Sequence, residues 1–149
     1  MKKFEFHLEK LLTYKDQTLD SELMTLAVLN SHLSDHQKRL FLLQEEREQY
    51  RLEFESEILN RTTPASCRLY AFYDEYIKEQ IQQTENDIRN TSLQIDKQVA
   101  LIKKLKIETK SLEILKAAKL DEYKKEGLKM AERQLDEFVS TARLLKDIV

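Results

Sequence analysis

Apolar residues recur along this chain with a period of seven. Leu12, Leu19, Leu26, Leu33 and Leu40 form one row; Arg47 interrupts it and Phe54 returns to the phase. Leu23, Leu29, Leu43 and Tyr50 supply a looser second row, and Asn30, His36 and Gln37 beside it predict a wet, imperfect seam. After residue 65 the pattern resumes with Ile81, Ile88, Ile95 and Ile102. A strict seven-residue repeat drifts around a straight helix and stays facing a partner only through left-handed supercoiling. Thr109 and Lys116 break the phase, and Leu128, Ala131, Leu135, Phe138, Ala142 and Leu145 begin a new one. That shift predicts a local unwinding or overwinding near Leu112 to Lys124, with Gly127 as a soft spot inside the helix and not its end.

Between the two signals lies Asn60-Arg61-Thr62-Thr63-Pro64-Ala65-Ser66, the one turn-like cluster in the chain. Proline suits the first turn of a helix, and Thr63 before it is a suitable N-cap. The expected fold class is therefore all-α: two long helices in an antiparallel coiled-coil hairpin, helix 2 longer than helix 1, forming a single domain over residues 1–149. Helix 1 is expected over about 2–60, the turn over about 61–64 and helix 2 over about 65–147. A connection this short favours an antiparallel neighbour.

At 1.5 Å per residue helix 1 is roughly 87 Å long and helix 2 roughly 126 Å. Folded back at the turn, facing residues have numbers that sum to about 125. Residues from about Lys124 onward then overhang without a partner in the chain. Their apolar face, with Leu128, Leu135, Phe138 and Leu145, is frayed, self-associated or docked on something else, and an amphipathic helix with no partner in its own chain is a candidate binding surface. Pairs such as Asp35–Arg39, Glu85–Arg89 and Asp121–Lys125 add a few tenths of a kcal/mol each along the helices.

Composition narrows the function classes. The chain has one glycine and one proline, 35% charged and 41% hydrophobic residues, and a net charge of −2. Turn-rich folds need more breakers than this. The near-neutral charge gives no global field for nucleic acid. The apolar stretches are too short to span a bilayer, and charges interrupt the N-terminus before a signal-peptide core can form; the expected location is cytoplasmic. One glycine cannot build a phosphate-binding loop. His32 and His36 have the i, i+4 spacing of a zinc pair but lack the accompanying glutamate, and read as helix-surface or seam residues. Cys67 stands near a helix N-terminus without a base and reads as an incidental thiol. No cofactor, metal or catalytic residue is expected, and a two-helix hairpin offers no enclosed pocket for chemistry.

Charge is uneven. Residues 101–129 hold nine lysines against five acids, for a net of +4. Lys116, Lys119, Lys124 and Lys125 either form a solvated face or lie against an acidic partner. Near the turn cluster Tyr50, Phe54, Tyr70, Phe72, Tyr73 and Tyr76. They hold the tip together, or part of them forms a docking patch; one partner helix cannot cover all six.

Four segments, in this order, are similar to the FliJ family of the bacterial flagellar export apparatus. The opening Phe4-x-Phe6-x-Leu8-x-x-Leu11-Leu12-x-x-Lys15 resembles that of the family. Tyr73-Asp74-Glu75-Tyr76-Ile77 resembles its Tyr-Gln-Gln-aromatic-aliphatic segment, with Asp-Glu in place of Gln-Gln and Gln80 where an aliphatic residue is usual. Lys110-x-Leu112-Glu113-x-Leu115 matches a basic–apolar–Glu pattern, and Arg133-x-Leu135-Asp136-Glu137-Phe138 its basic-x-apolar-Asp-Glu-apolar ending.

The resemblance implies a non-enzymatic stalk, similar to the central stalk of rotary ATPases, for the type III export ATPase hexamer. It implies that the terminal end enters the ATPase ring through Phe4, Phe6, Leu8, Lys116, Lys119, Lys124, Lys125, Leu128, Leu135, Asp136, Glu137 and Phe138. It implies that the hairpin tip, through Leu43, Tyr50, Phe72, Tyr73 and Tyr76, meets the export gate protein FlhA. Escort of export chaperones, and a place at the inner-membrane export apparatus through partners only, are further implications. The Phe4-x-Phe6 opening favours the flagellar stalk over the equivalent in a virulence secretion system. A coiled-coil adaptor without an ATPase partner, dimerising through its overhangs, is the alternative from a different class; a nucleic-acid-binding hairpin ranks third.

Overall fold

The structure, a computed structural model, describes residues 2–148. The ends of the expected domain, Met1 and Val149, lie outside the described residues. Two helices account for nearly all of it: α1 (Glu9–Leu59) and α2 (Pro64–Ile148). They pack antiparallel, the second longer than the first, with no strand among the described residues. Contacts gather into two units, each built from a stretch of both helices. The terminal unit combines the chain up to Asp20 with the chain from Lys103; the tip unit is Ser21–Ile102.

Cross-helix pairs within each unit set the register. In the terminal unit Tyr123 Oη donates to the Lys2 carbonyl, Lys116 pairs with Glu9 at 2.8 Å and Lys15 with Glu108 at 2.6 Å. In the tip unit Gln98 donates to the Glu22 carbonyl (2.9 Å), Arg39 to Gln80 (3.1 Å) and Arg47 to Asp74 (2.9 Å). As one number rises the other falls, which is the antiparallel sense. The sums run from 123 to 125 in the first unit and from 119 to 121 in the second, close to the expected 125. Long side chains reach up to a turn along the axis, which accounts for the scatter.

The leucine row is the packed row. Leu12 is buried, and Leu19, Leu26, Leu33, Leu40 and Phe54 are half-buried. The second row differs from expectation. Its inward positions are Lys15, Glu22, Leu29, His36, Leu43 and Tyr50, while Leu23 is exposed. The seven-residue phase selects position 22 whatever side chain stands there, and Glu22 satisfies itself by taking a hydrogen bond from Gln98. On α2 the row through Ile81, Ile88, Ile95 and Ile102 continues in phase through Thr109, which is buried, and Lys116, which is half-buried. Chemistry changes at those positions and geometry does not: the lysine stem lies along the seam and its ammonium reaches Glu9. Few side chains are buried among the described residues: Phe6, Leu12 and Leu105, with Thr109, in the terminal unit, and Ile77 and Ile102, with Thr84 and Thr91, in the tip unit.

Helix 1 begins seven residues later than the sequence suggests. Residues 2–6 are not helical, the Glu9 amide donates to the Phe6 carbonyl, and the Leu12 amide makes the first α-type bond to Leu8. Leaving the helix lets Phe6 tuck in to 7% exposure and brings the Phe4 ring to 5.5 Å from that of Tyr123. Burying two aromatic rings outweighs a few more helical bonds at a fraying end. Gly127 lies within an unbroken α2. Of the three expected pairs along the helices, Asp121–Lys125 forms at 3.1 Å; Arg39 instead crosses to Gln80 and Arg89 turns to Asn86.

The connection is Asn60 to Thr63. Thr63 caps α2: its Oγ1 accepts from the Ser66 amide at 3.2 Å, Pro64 takes the first helical position, and the Cys67 amide bonds the Thr63 carbonyl. Arg61 holds φ at 65°, the left-handed conformation that ends many helices. A Cβ is disfavoured there by about 1 kcal/mol, so Arg61→Gly is expected to stabilise the fold by roughly that amount. Urea unfolding followed by circular dichroism checks this; an unchanged or lower midpoint refutes it.

Candidate partner-binding surfaces

Among the described residues no group of His, Cys, Asp and Glu stands ready to hold a metal ion, and no helix is long and apolar enough to cross a membrane. The surfaces that remain are faces of helices.

In the terminal unit the expected partner residues divide. Phe6 is buried and Phe4 and Leu8 are half-buried, all engaged within the chain. Lys3, Phe4, Phe6, His7 and Lys116 line a shallow groove there. Lys116 is tied to Glu9, Lys119 lies 3.7 Å from Glu122 and Lys125 3.1 Å from Asp121. These are solvent-exposed pairs worth about 0–1 kcal/mol each, easily exchanged for another partner. From Leu128 on every described residue is exposed, including Leu135 (61%), Asp136, Glu137 and Phe138 (71%). The overhang expected from the register is thus a bare helix face. Glu108 is held below the usual carboxylate range by the hydrogen bond from Lys15.

In the tip unit the aromatics also divide. The Phe54 and Tyr70 rings stack at 4.1 Å, Tyr50 stacks on Tyr70 at 5.4 Å, and Tyr73 closes the group at 4.2 Å from Tyr50. Rings in such offset or tilted contact add about 0.5–1.5 kcal/mol per pair beyond the area they bury. Leu43 is half-buried in the seam. Phe72 and Tyr76 stand outside the cluster at 75% and 57% exposure. With Leu69, also exposed, they follow steps of three and four and so share one outer face of α2. Leu69 was absent from the sequence expectation; the i, i+3, i+7 spacing with Phe72 and Tyr76 is the signal that finds it. Arg47 and Asp74 brace the cluster through two hydrogen bonds, at 2.9 and 3.3 Å.

Tyr73 donates to the Glu46 carboxylate. That bond, with burial adding to it, pushes the phenol up to about 12 from its ordinary 10. A raised folded-state value favours the protonated form in the native state. The contribution of Tyr73 to stability is therefore full below pH 10 and is lost as pH rises from 10 towards 12. Burial raises the phenol of Tyr70 as well, so ultraviolet titration should show two of the six tyrosines ionising late, and Tyr73→Phe or Glu46→Gln should remove the later part of that phase. A titration curve that neither substitution alters would refute the assignment.

The fold defines the class: a helical hairpin with exposed apolar and aromatic side chains on its helix faces. The chain matches the flagellar FliJ protein family over residues 4–145, and it belongs to that family. The family is one of flagellar type III protein export components. No curated protein and no solved structure matches the chain.

Proposed function

We propose that this chain is the stalk of the flagellar type III export ATPase complex. Its terminal end enters the hexameric ATPase ring, and its tip links that ring to the export gate protein FlhA. Escort of export chaperones belongs to the same reading, as does a cytoplasmic position at the inner-membrane apparatus held through partners alone. The observation that carries it is the bare apolar face of Leu128, Leu135 and Phe138, which adjoins a segment with nine lysines against five acids. Such a surface suits an acidic lumen: exposed lysines bind it at long range, and scattered apolar anchors hold without locking. The outer face of Leu69, Phe72 and Tyr76 supplies aromatic anchors of the kind that dominate interfaces.

The test is the turnover of the purified export ATPase titrated with this protein. Stimulation by the full-length chain, weakened when Lys116, Lys119, Lys124 and Lys125 are neutralised together, supports the reading. No stimulation, or stimulation indifferent to those lysines, refutes it.

A further inference from the structure

Along the terminal unit the two faces of α2 exchange their chemistry. The face that meets α1 carries Leu105, Thr109, Leu112, Lys116 and Tyr123, all buried or half-buried. Past Tyr123, where α1 and its lead-in no longer pair with it, the same rows become largely polar, with Glu126, Arg133, Glu137 and Ser140 against Met130 and Leu144. The outward face does the reverse. Ile107 (68% exposed) and Ile114 (61%) already stand on it, Asp121 interrupts the row, and Leu128 and Leu135 continue it at multiples of seven. Three residues after Ile114, Leu128 and Leu135 come Ala117, Ala131 and Phe138. The change of apolar phase in the sequence is thus a change of face, and the helix stays continuous through it.

The outward seam runs from Ile107 to Leu145, roughly 57 Å of helix. Apolar rows spaced by alternating threes and fours are matched by another helix of the same pattern. Charge selects which helix and which direction. Residues 103–119 carry six lysines and two glutamates; residues 130–148 carry three basic and four acidic groups. Parallel pairing of two copies would set the lysine-rich stretch against itself. Antiparallel pairing sets it against the weakly acidic one. The antiparallel register that places Ile107 against Leu145 also places Ile114 against Phe138 and Ala117 against Leu135, large side chains meeting large or filling the space over a small one; at its centre Asp121 faces Ala131 and Lys124 faces Leu128, each charge leaving the seam by its side-chain stem.

We propose that two copies of this chain associate antiparallel through this outward seam of α2. The dimer covers Leu128, Leu135 and Phe138, so self-association and ring entry compete for one surface. The pairing rests on the seam itself and stands or falls independently of the ring reading.

Sedimentation equilibrium of the full-length protein over the micromolar range, at low ionic strength, tests it. A reversible dimer is expected, and Ile107→Glu with Ile114→Glu should weaken it at least about tenfold. Both positions are exposed, so helix content by circular dichroism should not change. For direction, Ala117→Cys and Leu135→Cys are placed together in a Cys67→Ser background and treated with a short bismaleimide. The double variant should give a covalent dimer and either single variant should not. A monomer throughout, a dimer that the two glutamates leave intact, or crosslinking by a single cysteine would each overturn the proposal. The Ile107→Glu, Ile114→Glu variant keeps the whole overhang, so its effect on ATPase turnover reports on the ring reading separately.

Discussion

Ile77→Ala is expected to destabilise the tip unit by about 3 kcal/mol, more than any other single truncation of a side chain in that unit. Ile77 is 1% exposed, the most completely buried apolar side chain among the described residues. Its neighbours on the inward row of α2 one and two heptads later are Thr84 and Thr91, and on α1 the seam admits Glu22, His36 and Arg47. Thr84 returns its hydroxyl to the Gln80 carbonyl at 2.8 Å, which satisfies the group without adding apolar contact. Two facing helices whose backbones are held by these heptad rows cannot close around a cavity at one position, so the loss should lie well within the 2–5 kcal/mol range for isoleucine truncation. Leu135→Ala, at an exposed position, is the control and should fall within about 0.5 kcal/mol of the parent. Urea denaturation of both variants, followed at the helical circular dichroism band and by tyrosine fluorescence from the aromatic cluster, makes the comparison. Equal midpoints for the two variants would show that the burial of Ile77 does not hold the tip unit together.

The periodicity carried most of the fold into the sequence, because in a coiled coil the same seven-residue phase sets both which residues meet and which way the helices lie. The turn was legible for a different reason: Thr63 and Pro64 satisfy and pre-set the first turn of α2 locally, with no help from distant residues. Two features were not legible. The opening segment reads as helix by composition, yet Phe4 and Phe6 leave the helix to reach Tyr123 and the seam, a tertiary gain that no local propensity records. Likewise Thr109 and Lys116 look like breaks in a hydrophobic row but occupy inward positions, since the phase is a property of the backbone and tolerates a threonine or a snorkelling lysine. At the candidate surfaces the sequence identified the residue types and left open their division. Which tyrosines pack and which remain outside depends on the angle at which α2 leaves the turn, and that is set by the stack of Phe54, Tyr70 and Tyr50.

A chain ending at Gly127 is expected to lose stimulation of the export ATPase while keeping its fold. Among the described residues every cross-helix hydrogen bond and ion pair that a side chain makes in the terminal unit lies before that point: Tyr123 to Lys2, Lys116 to Glu9 and Lys15 to Glu108. The residues removed are all exposed where described, so the thermal midpoint should move little while mean helicity falls with the missing turns. What the truncation takes away is Leu128, Leu135 and Phe138 as anchors. At about 1 kcal/mol or more each, an interface built on them should weaken by roughly 100-fold. The same chain with Leu128→Ala, Leu135→Ala and Phe138→Ala in place of truncation should reproduce most of that loss, because the backbone past Gly127 serves only to present those side chains. If the truncated chain folds and stimulates turnover as the full chain does, the overhang is not the docking end, and the lysine segment or the groove at Phe4 and Phe6 must carry the contact instead. If it folds and stimulation is gone, the bare apolar face past Leu128 is explained by the partner that covers it.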